Sequence, residues 1–143
     1  MESATVGIFI MNLRDMSPSK GTFSCDFWIW ANTTGQENIL ADLQFLNAEK
    51  VIWYTETKPS ITGITSYKRR GSGTFRMNWN LKHYPYDSQV LPIQMEYSLR
   101  DSSKITLKAD TENSGINREN IPQDWSVKEF SLKSETSTYS SNL

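Results

Sequence analysis

Apolar and polar residues alternate in several short segments of this chain, and this alternation constrains the fold more than any other feature. In the segment 22–32, every second residue from Phe23 to Ala31 is apolar. The segments 75–81 and 91–97 repeat the pattern. A period of two places all the apolar side chains on one face of a strand. Each segment is therefore predicted to be a β-strand with one buried face.

The rest of the chain adds further short strands separated by turn residues. An apolar run over 6–16 ends at a Ser/Pro/Gly turn at 17–21, and Gly71 and Gly73 indicate a bulge or tight turn before the strand at Phe75. The remaining strands are predicted at 39–48, 51–57, 105–109 and 125–132, the last with a bulge. Residues 111–123 are predicted to be a loop, and the Ser/Thr-rich end at 134–143 a flexible one.

These segments predict the fold class. We count seven to nine short strands and no amphipathic helix of useful length. Such a pattern is typical of an all-β, immunoglobulin-like antiparallel β-sandwich. A length of 143 residues with 37% hydrophobic content suits one domain, residues 1–143, with one modest core.

Composition limits the classes of function. The net charge of −1 gives no electrostatic reason to expect nucleic acid as a partner, whereas five Trp and six Tyr favour binding through aromatic surfaces. Cys25 is the only cysteine and His83 the only histidine. One of each cannot form a closed zinc site, and a catalytic triad would have to use His83. We therefore predict no enzyme activity, no metal and no cofactor.

The loop at 83–89, with the sequence HYPYDSQ, is the least generic segment of the chain. Pro85 fixes one backbone angle, and Asp87 can bond nearby backbone amides, so the loop is stiff as well as aromatic. It resembles the signature loop of the pentameric ligand-gated ion channels, the Cys-loop receptor superfamily. Met77 and Leu91 stand where animal receptors carry two cysteines, as in the prokaryotic branch of the family.

The resemblance covers nearly the whole chain, with departures. The segments 6–13 and 22–32 resemble the first two strands of the family. The segment 40–49 resembles the stretch that usually begins with Trp-x-Pro-Asp, and Ile39 and Ala41 replace the usual Trp and Pro. The stretch before Ile39 is shorter than in most channels. The sequence reaches Leu143 without the family's tenth strand, which implies an exposed sheet edge. The family also implies a secretion signal and membrane helices in the native gene.

Carried over residue by residue, the resemblance implies a binding site between neighbouring protomers. Its ligand-binding positions are Trp28, Leu46, Asn47, Lys68, Glu96, Tyr97, Ser98 and Tyr139. The loop that couples binding to a membrane segment is Tyr84, Pro85, Tyr86 and Asp87. The alternation independently places Trp28 on the non-core face, although Trp28 and Trp30 equally suit the edge of a sandwich or a protomer contact. Lys68 and Arg70 suit either an anionic ligand or a solvated turn.

The function implied is that of a periplasmic or extracellular sensor domain. Its partners are a small-molecule ligand, an amine or a carboxylate, and further copies of the chain, with a pentamer expected in the full-length protein. The parent is either a channel or a bacterial receptor with another output. The alternative from a different class is a protein-binding or adhesion sandwich that uses Trp28, Trp30 and the open edge.

Overall fold

The computed structural model describes residues 2–34, 39–61, 64–78, 89–97, 105–123 and 125–132. These residues form eight strands and one 3₁₀ turn, at Ile39–Asp42. The strands are β1 (Glu2–Ser17), β2 (Thr22–Thr33), β3 (Leu43–Phe45), β4 (Ala48–Ile61), β5 (Thr65–Arg76), β6 (Met95–Tyr97), β7 (Ile105–Ala109) and β8 (Gly115–Ile116). The all-β class is confirmed.

Two sheets contain all of these strands. The large sheet has the order β4-β5-β2-β1-β7, with β8 also paired to β1, and the small sheet is β3-β6. β1, β2, β5 and β4 pair antiparallel with their neighbours, but β7 and β8 run parallel to β1, with Glu2 opposite Ile105 and Phe9 opposite Gly115. The expectation of a purely antiparallel arrangement was therefore wrong. β7 follows the small sheet in the chain rather than forming a hairpin with β1, so nothing forces it to run antiparallel.

The first two strands lie where the alternation predicts them. They are joined by a turn in which the Gly21 amide donates to the Pro18 carbonyl, 3.3 Å away, and Gly21 has a φ of 67°. A positive φ is accessible to glycine without strain, so the predicted turn at 17–21 is confirmed. The predicted core face of β2 is also confirmed, because five alternate side chains are at most 1% exposed: Phe23, Cys25, Phe27, Ile29 and Ala31.

An aromatic cluster joins the two sheets. The ring of Phe27 lies 5.4 Å from that of Phe45 on the small sheet and 5.7 Å from that of Trp53 on β4, both edge to face. Phe75 stands 5.6 Å from both Phe23 and Phe45. Aromatic pairs in these geometries each contribute about 0.5–1.5 kcal/mol beyond the burial of their area. The small sheet therefore packs on the odd-numbered face of β2.

The prediction of a bulge or turn at Gly71 and Gly73 was wrong, because β5 runs through both glycines without a break. A Cβ at Gly71 would lie 2.8 Å from Cε3 of Trp53, and one at Gly73 would lie 2.6 Å from Cε2 of Phe75. The two glycines thus leave room for the rings of Trp53 and Phe75. The pairing of β4 with β5 has three irregularities, all on β4, and the one between Trp53 and Thr55 lies opposite Gly71 and Arg70.

Other predicted strands also differ from the structure. Residues 125–132 contain no strand, although Val127 and Phe130 are partly buried against the core. Alternating apolar residues indicate that one side of an extended segment is buried. Such a segment need not be hydrogen-bonded to a neighbouring strand. In 91–97 only Met95–Tyr97 pairs with another strand, and β5 ends at Arg76, before the alternation does. Residues 79–88 and 133–143 lie outside the described residues, and they include the predicted flexible end and all of the predicted signature loop except Gln89.

Candidate functional site

The even-numbered face of β2 points away from the small sheet and carries two partly exposed tryptophans. Register places Phe9 of β1 on one side of Trp28 and Arg70 of β5 on the other. Trp30 stands opposite Lys68 in the same way. We call these five residues, Phe9, Trp28, Trp30, Lys68 and Arg70, the outer face. It combines three aromatic rings with two cations.

Lys68 contacts the aromatic ring of Trp28. Its Nζ atom lies 4.6 Å from the ring centroid, within the range of a cation–π interaction. Lys68 itself is exposed and Trp28 is half-buried. The structure thus brings together two of the residues that the sequence predicted for ligand binding.

Arg70 is held against the sheet with unused hydrogen-bonding capacity. Its Nε atom is buried and has no hydrogen-bond partner, and Arg70 forms no ion pair with any residue that the structure describes. A buried N–H group without an acceptor costs roughly 1–3 kcal/mol. The guanidinium of Arg70 is therefore under-satisfied in the structure.

Trp30 is held in place by contacts within the protein, so its indole N–H is not available to a ligand. Its Nε1 atom donates to Oδ2 of Asp110, 2.9 Å away, and its ring covers Gly7, the residue opposite it on β1. The hydrogen bond from Trp30, together with those from Asn113, lowers the pKa of Asp110 despite its burial. Sequence analysis missed this contact because the two residues are 80 positions apart, and a local sequence pattern cannot indicate a contact between such distant residues.

A polar network borders the outer face at the other end. Asn12 Nδ2 donates to Asp26 Oδ2 at 2.7 Å, and Arg14 Nη2 donates both to Asp26 Oδ1 at 3.0 Å and to Ser72. Burial would raise the pKa of Asp26, but the hydrogen bonds from Asn12, Ser72 and Arg14 outweigh it and lower that pKa. Asp26 in turn raises the pKa of Arg14. The Asp26 carboxylate is thus already neutralised by its own neighbours.

The other predicted ligand-binding residues in the described part of the chain lie on or next to the small sheet. Glu96 and Tyr97 belong to β6, where they pair with Gln44 and Leu43. Leu46 follows β3 and is 49% exposed. The large sheet therefore lies between this group and Trp28, and one chain does not combine them into one site.

Asn47, also predicted for ligand binding, holds the loop between β3 and β4 in place. Its Nδ2 atom donates to the carbonyls of Arg76 at 2.9 Å and Pro92 at 2.7 Å, and its Oδ1 accepts from the Gln94 amide at 2.8 Å. Asn47 is only 8% exposed. These bonds tie the small sheet to the end of β5, a role for which the sequence offered no signal.

The remaining predicted residues lie outside the described part of the chain. They are Ser98 and Tyr139, predicted for ligand binding, and Tyr84, Pro85, Tyr86 and Asp87, predicted for coupling. Their roles stay predictions.

An open cleft of about 470 Å³ lies at the far end of β5 from the outer face. It is bordered by charged and polar groups, among them Lys20, Glu49 and Arg76. None of the predicted ligand-binding residues lines it. We give the outer face precedence because the cleft is shallow and has no aromatic wall.

Other kinds of site find no support in the described residues. No group of three or more His, Cys, Asp or Glu side chains within them is placed to hold a metal ion. Burial raises the pKa of the Cys25 thiol to about 12, which disfavours the reactive thiolate. The described part of the chain contains no helix that could span a lipid bilayer. No protein-family model matches this chain, and no curated protein matches it.

Proposed function

We propose that this chain is an outward-facing, ligand-binding sensor domain of the type found in pentameric ligand-gated ion channels, with their immunoglobulin-like sandwich. The observation that carries the proposal is the contact between Lys68 and Trp28, with Arg70 beside them on the same face of the sheet. By the sequence resemblance, Trp28 and Lys68 belong to the half of the binding site that one protomer contributes to the pocket of its neighbour. Two residues 40 positions apart are thus in contact where the proposal needs them.

The placement of the predicted residues supports a site between protomers. Trp28 and Lys68 are on the outer face, whereas Glu96, Tyr97 and Leu46 are on the side of the small sheet. Each chain in a ring would present its outer face to one neighbour and its small sheet to the other. Ser98 and Tyr139 would complete the second half. The full-length protein is then a homo-oligomer, a pentamer by analogy with the family.

The mechanism is a shift in population between two arrangements of adjacent protomers. A ligand that bridges the two halves stabilises the arrangement to which it binds more tightly, and only this difference in affinity drives a response. The loop at Tyr84, Pro85, Tyr86 and Asp87 carries the change to a membrane segment. The output is either a channel or another signalling module.

Thermal unfolding with a library of amines, amino acids and carboxylates tests this proposal, with light scattering on the same samples. A ligand at 100 times its dissociation constant stabilises the folded state by about 2.7 kcal/mol, which raises Tm by several degrees. We expect Trp28→Ala to abolish the rise. Tyr54→Ala is the matched control, because Tyr54 is an exposed aromatic residue on β4, 59% exposed, that is not one of the five outer-face residues.

The outcomes separate the proposal from a general effect. A rise in Tm that survives in Trp28→Ala places the ligand elsewhere and contradicts the proposal. An equal loss of the ligand-induced rise in Tm in Tyr54→Ala also contradicts the proposal, since the ligand would then bind exposed aromatic side chains in general.

A second candidate function is protein binding through a sheet edge. Within the described part of the chain, β4 is the outermost strand of the large sheet, and its Ile52 and Tyr54 side chains are 42% and 59% exposed. Exposed apolar side chains beside unpaired backbone groups suit the addition of a strand from another chain. This function predicts no saturable stabilisation by small molecules, and a loss of binding in Tyr54→Ala rather than in Trp28→Ala.

A further inference from the structure

We infer that the open cleft at the end of β5 binds a small polar α-amino acid in its zwitterionic form. The cleft is separate from the outer face, so this second site goes beyond the proposed function and does not depend on it. Its volume of about 470 Å³ falls within the usual range of small-molecule pockets, about 300–1,000 Å³.

Hydrogen bonds within the protein fix the walls of the cleft relative to one another. The Met77 amide donates to the Gly21 carbonyl at 2.9 Å, which joins the chain after β5 to the turn between β1 and β2. The buried side chain of Asn47 joins the end of β5 to a third segment, because its Nδ2 atom donates to the carbonyls of both Arg76 and Pro92. The walls are therefore held by the fold itself.

The polar lining of the cleft carries charges of both signs. Lys20 and Arg76 are exposed cations, and Glu49 is an exposed carboxylate. Both ion pairs among the described residues belong to Arg14, so none of these three groups is neutralised by an ion-pair partner there. The cleft also contains two side-chain amides, those of Asn78 and Gln94. A ligand that complements this set has an anionic and a cationic group.

An α-amino acid carries both groups on one carbon atom. Its carboxylate can accept from the guanidinium of Arg76, whose Nη2 atom also donates to the Leu46 carbonyl at 3.2 Å. Its ammonium can donate to the carboxylate of Glu49. A simple amine would lack a group for the two cations, and a simple acid would lack one for Glu49. Met77 and Pro92 are the only apolar side chains that line the described cleft, so the ligand is small and polar.

Backbone amide signals in nuclear magnetic resonance spectra of the whole chain test this inference. We titrate with L-serine, and separately with ethanolamine and 3-hydroxypropanoate, each up to about 50 mM at neutral pH and constant ionic strength, because an open site is expected to bind in the millimolar range. Ethanolamine lacks the carboxylate of serine, and 3-hydroxypropanoate lacks its ammonium. Serine should shift the signals of Gly21, Asn78 and Gln94 saturably, and the other two compounds should bind at least about tenfold more weakly.

Three charge-removing variants provide the matched comparison. Arg76→Gln should weaken serine binding about tenfold or more, the effect of losing a charge-assisted hydrogen bond. Glu49→Gln should also weaken serine binding but should strengthen that of 3-hydroxypropanoate, because the negative charge is gone. Lys50→Gln removes a charge from an exposed residue that lies opposite Thr74 and does not line the cleft, and it should change binding less than about twofold. The spectra show whether each variant remains folded.

The contrary outcomes each overturn the inference. Equal binding of the three compounds would mean that the two charges are not recognised together. Equal weakening by Arg76→Gln and Lys50→Gln would mean that binding follows net charge. If serine shifts none of the three cleft signals, the cleft is not an amino-acid site.

The two sites can be tested separately. The thermal screen of the outer face is run in the Arg76→Gln background, so that binding in the cleft does not contribute measurably to it. A serine-induced shift of the Trp28 indole signal without a shift at Gly21 would overturn the inference and support the proposed function. Loss of every ligand effect in Trp28→Ala with the cleft signals unchanged would leave both standing.

Discussion

The two faces of β2 belong to one strand and differ in burial and in the contacts that hold their side chains. Phe27 is fully buried among three other aromatic rings, whereas Trp28, the next residue, is half-buried beside two cations. The odd face is held by packing and the even face by lateral contacts such as those of Trp30 and Asp26. The difference teaches that alternation separates a packed core face from a partly exposed aromatic and charged face within twelve residues. Substitutions on one face should leave the other largely intact.

The largest expected effect comes from Phe27→Ala. The substitution leaves a cavity between the rings of Phe45, Trp53 and Phe75, and should lower the free energy of unfolding by about 3–5 kcal/mol. Urea denaturation followed by circular dichroism measures it. Trp28→Ala is the control and should cost less than half as much. Equal losses in the two variants would break the distinction between the faces.

Gly7→Ala tests whether the outer face is packed at the end where Trp30 lies. A Cβ on Gly7 would stand 2.6 Å from Nε1 of Trp30, so the indole must move and give up its hydrogen bond to Asp110. We expect a loss of about 1–3 kcal/mol in the free energy of unfolding and a shifted indole N–H signal. Gly115→Ala is the control, because a Cβ there meets only Phe9, at 3.9 Å. Unchanged stability in Gly7→Ala would show that Trp30 is loosely held.

The third prediction concerns the acid side of the pH profile. Because the pKa of Asp26 in the folded protein is below its ordinary value of 3.8, the stability it contributes is present above that value and is lost as the pH falls through the folded-state pKa. Asp26→Asn should cost about 1–2 kcal/mol at neutral pH, because the amide cannot accept a charge-assisted bond from Arg14. It should also flatten the fall in Tm below pH 3.8.

A matched control for this prediction is Asp15→Asn. Asp15 also contacts Arg14, at 3.1 Å, but its side chain is 73% exposed. An exposed ion pair contributes little, so the neutral-pH loss should be near zero. If the two variants behave alike, the network at Asp26 does not distinguish the faces.

The smallest expected effect on stability is that of Lys68→Gln. It removes a cation–π contact at an exposed position, worth about 0.5–1 kcal/mol. Chemical denaturation should detect it only marginally, while the fluorescence of Trp28 should change because the ammonium leaves its ring. Lys50→Gln should change neither. A loss above about 2 kcal/mol would mean that Lys68 supports the fold as a structural residue.

The sequence predicted the elements whose pattern is local. The alternation in β2 predicted its bounds to within one residue and its buried face, and the turn at 17–21 followed from Pro18 and Gly21. Non-local contacts could not be predicted in this way. The parallel pairing of β7 with β1 and the bond from Trp30 to Asp110 join residues far apart in the chain. The glycines of β5 were wrongly predicted to form a bulge or turn. They leave room for the rings of Trp53 and Phe75, a reason that the local sequence does not show.

The candidate site was predicted in part. The placement of Trp28 on the non-core face followed from period two, and its contact with Lys68 followed from no pattern, because it depends on the register of β2 with β5. Asn47 was predicted to bind ligand, but its side chain is hydrogen-bonded to three backbone groups of the protein itself. Hydrogen-bond satisfaction is a property of the folded chain and is not visible in a residue type.

The parallel pairing of β1 with β7 has a consequence for synthesis on the ribosome. Glu2 pairs with Ile105, so roughly 100 residues must be made before the outer edge of β1 finds its neighbour. At about 5–20 residues per second, this takes about 5–20 seconds. During that time the hairpin of β1 and β2 can form, but the outer edge of β1 stays unpaired. The outer edge of β1 is therefore open to pairing with other chains from the completion of β2 until β7 emerges.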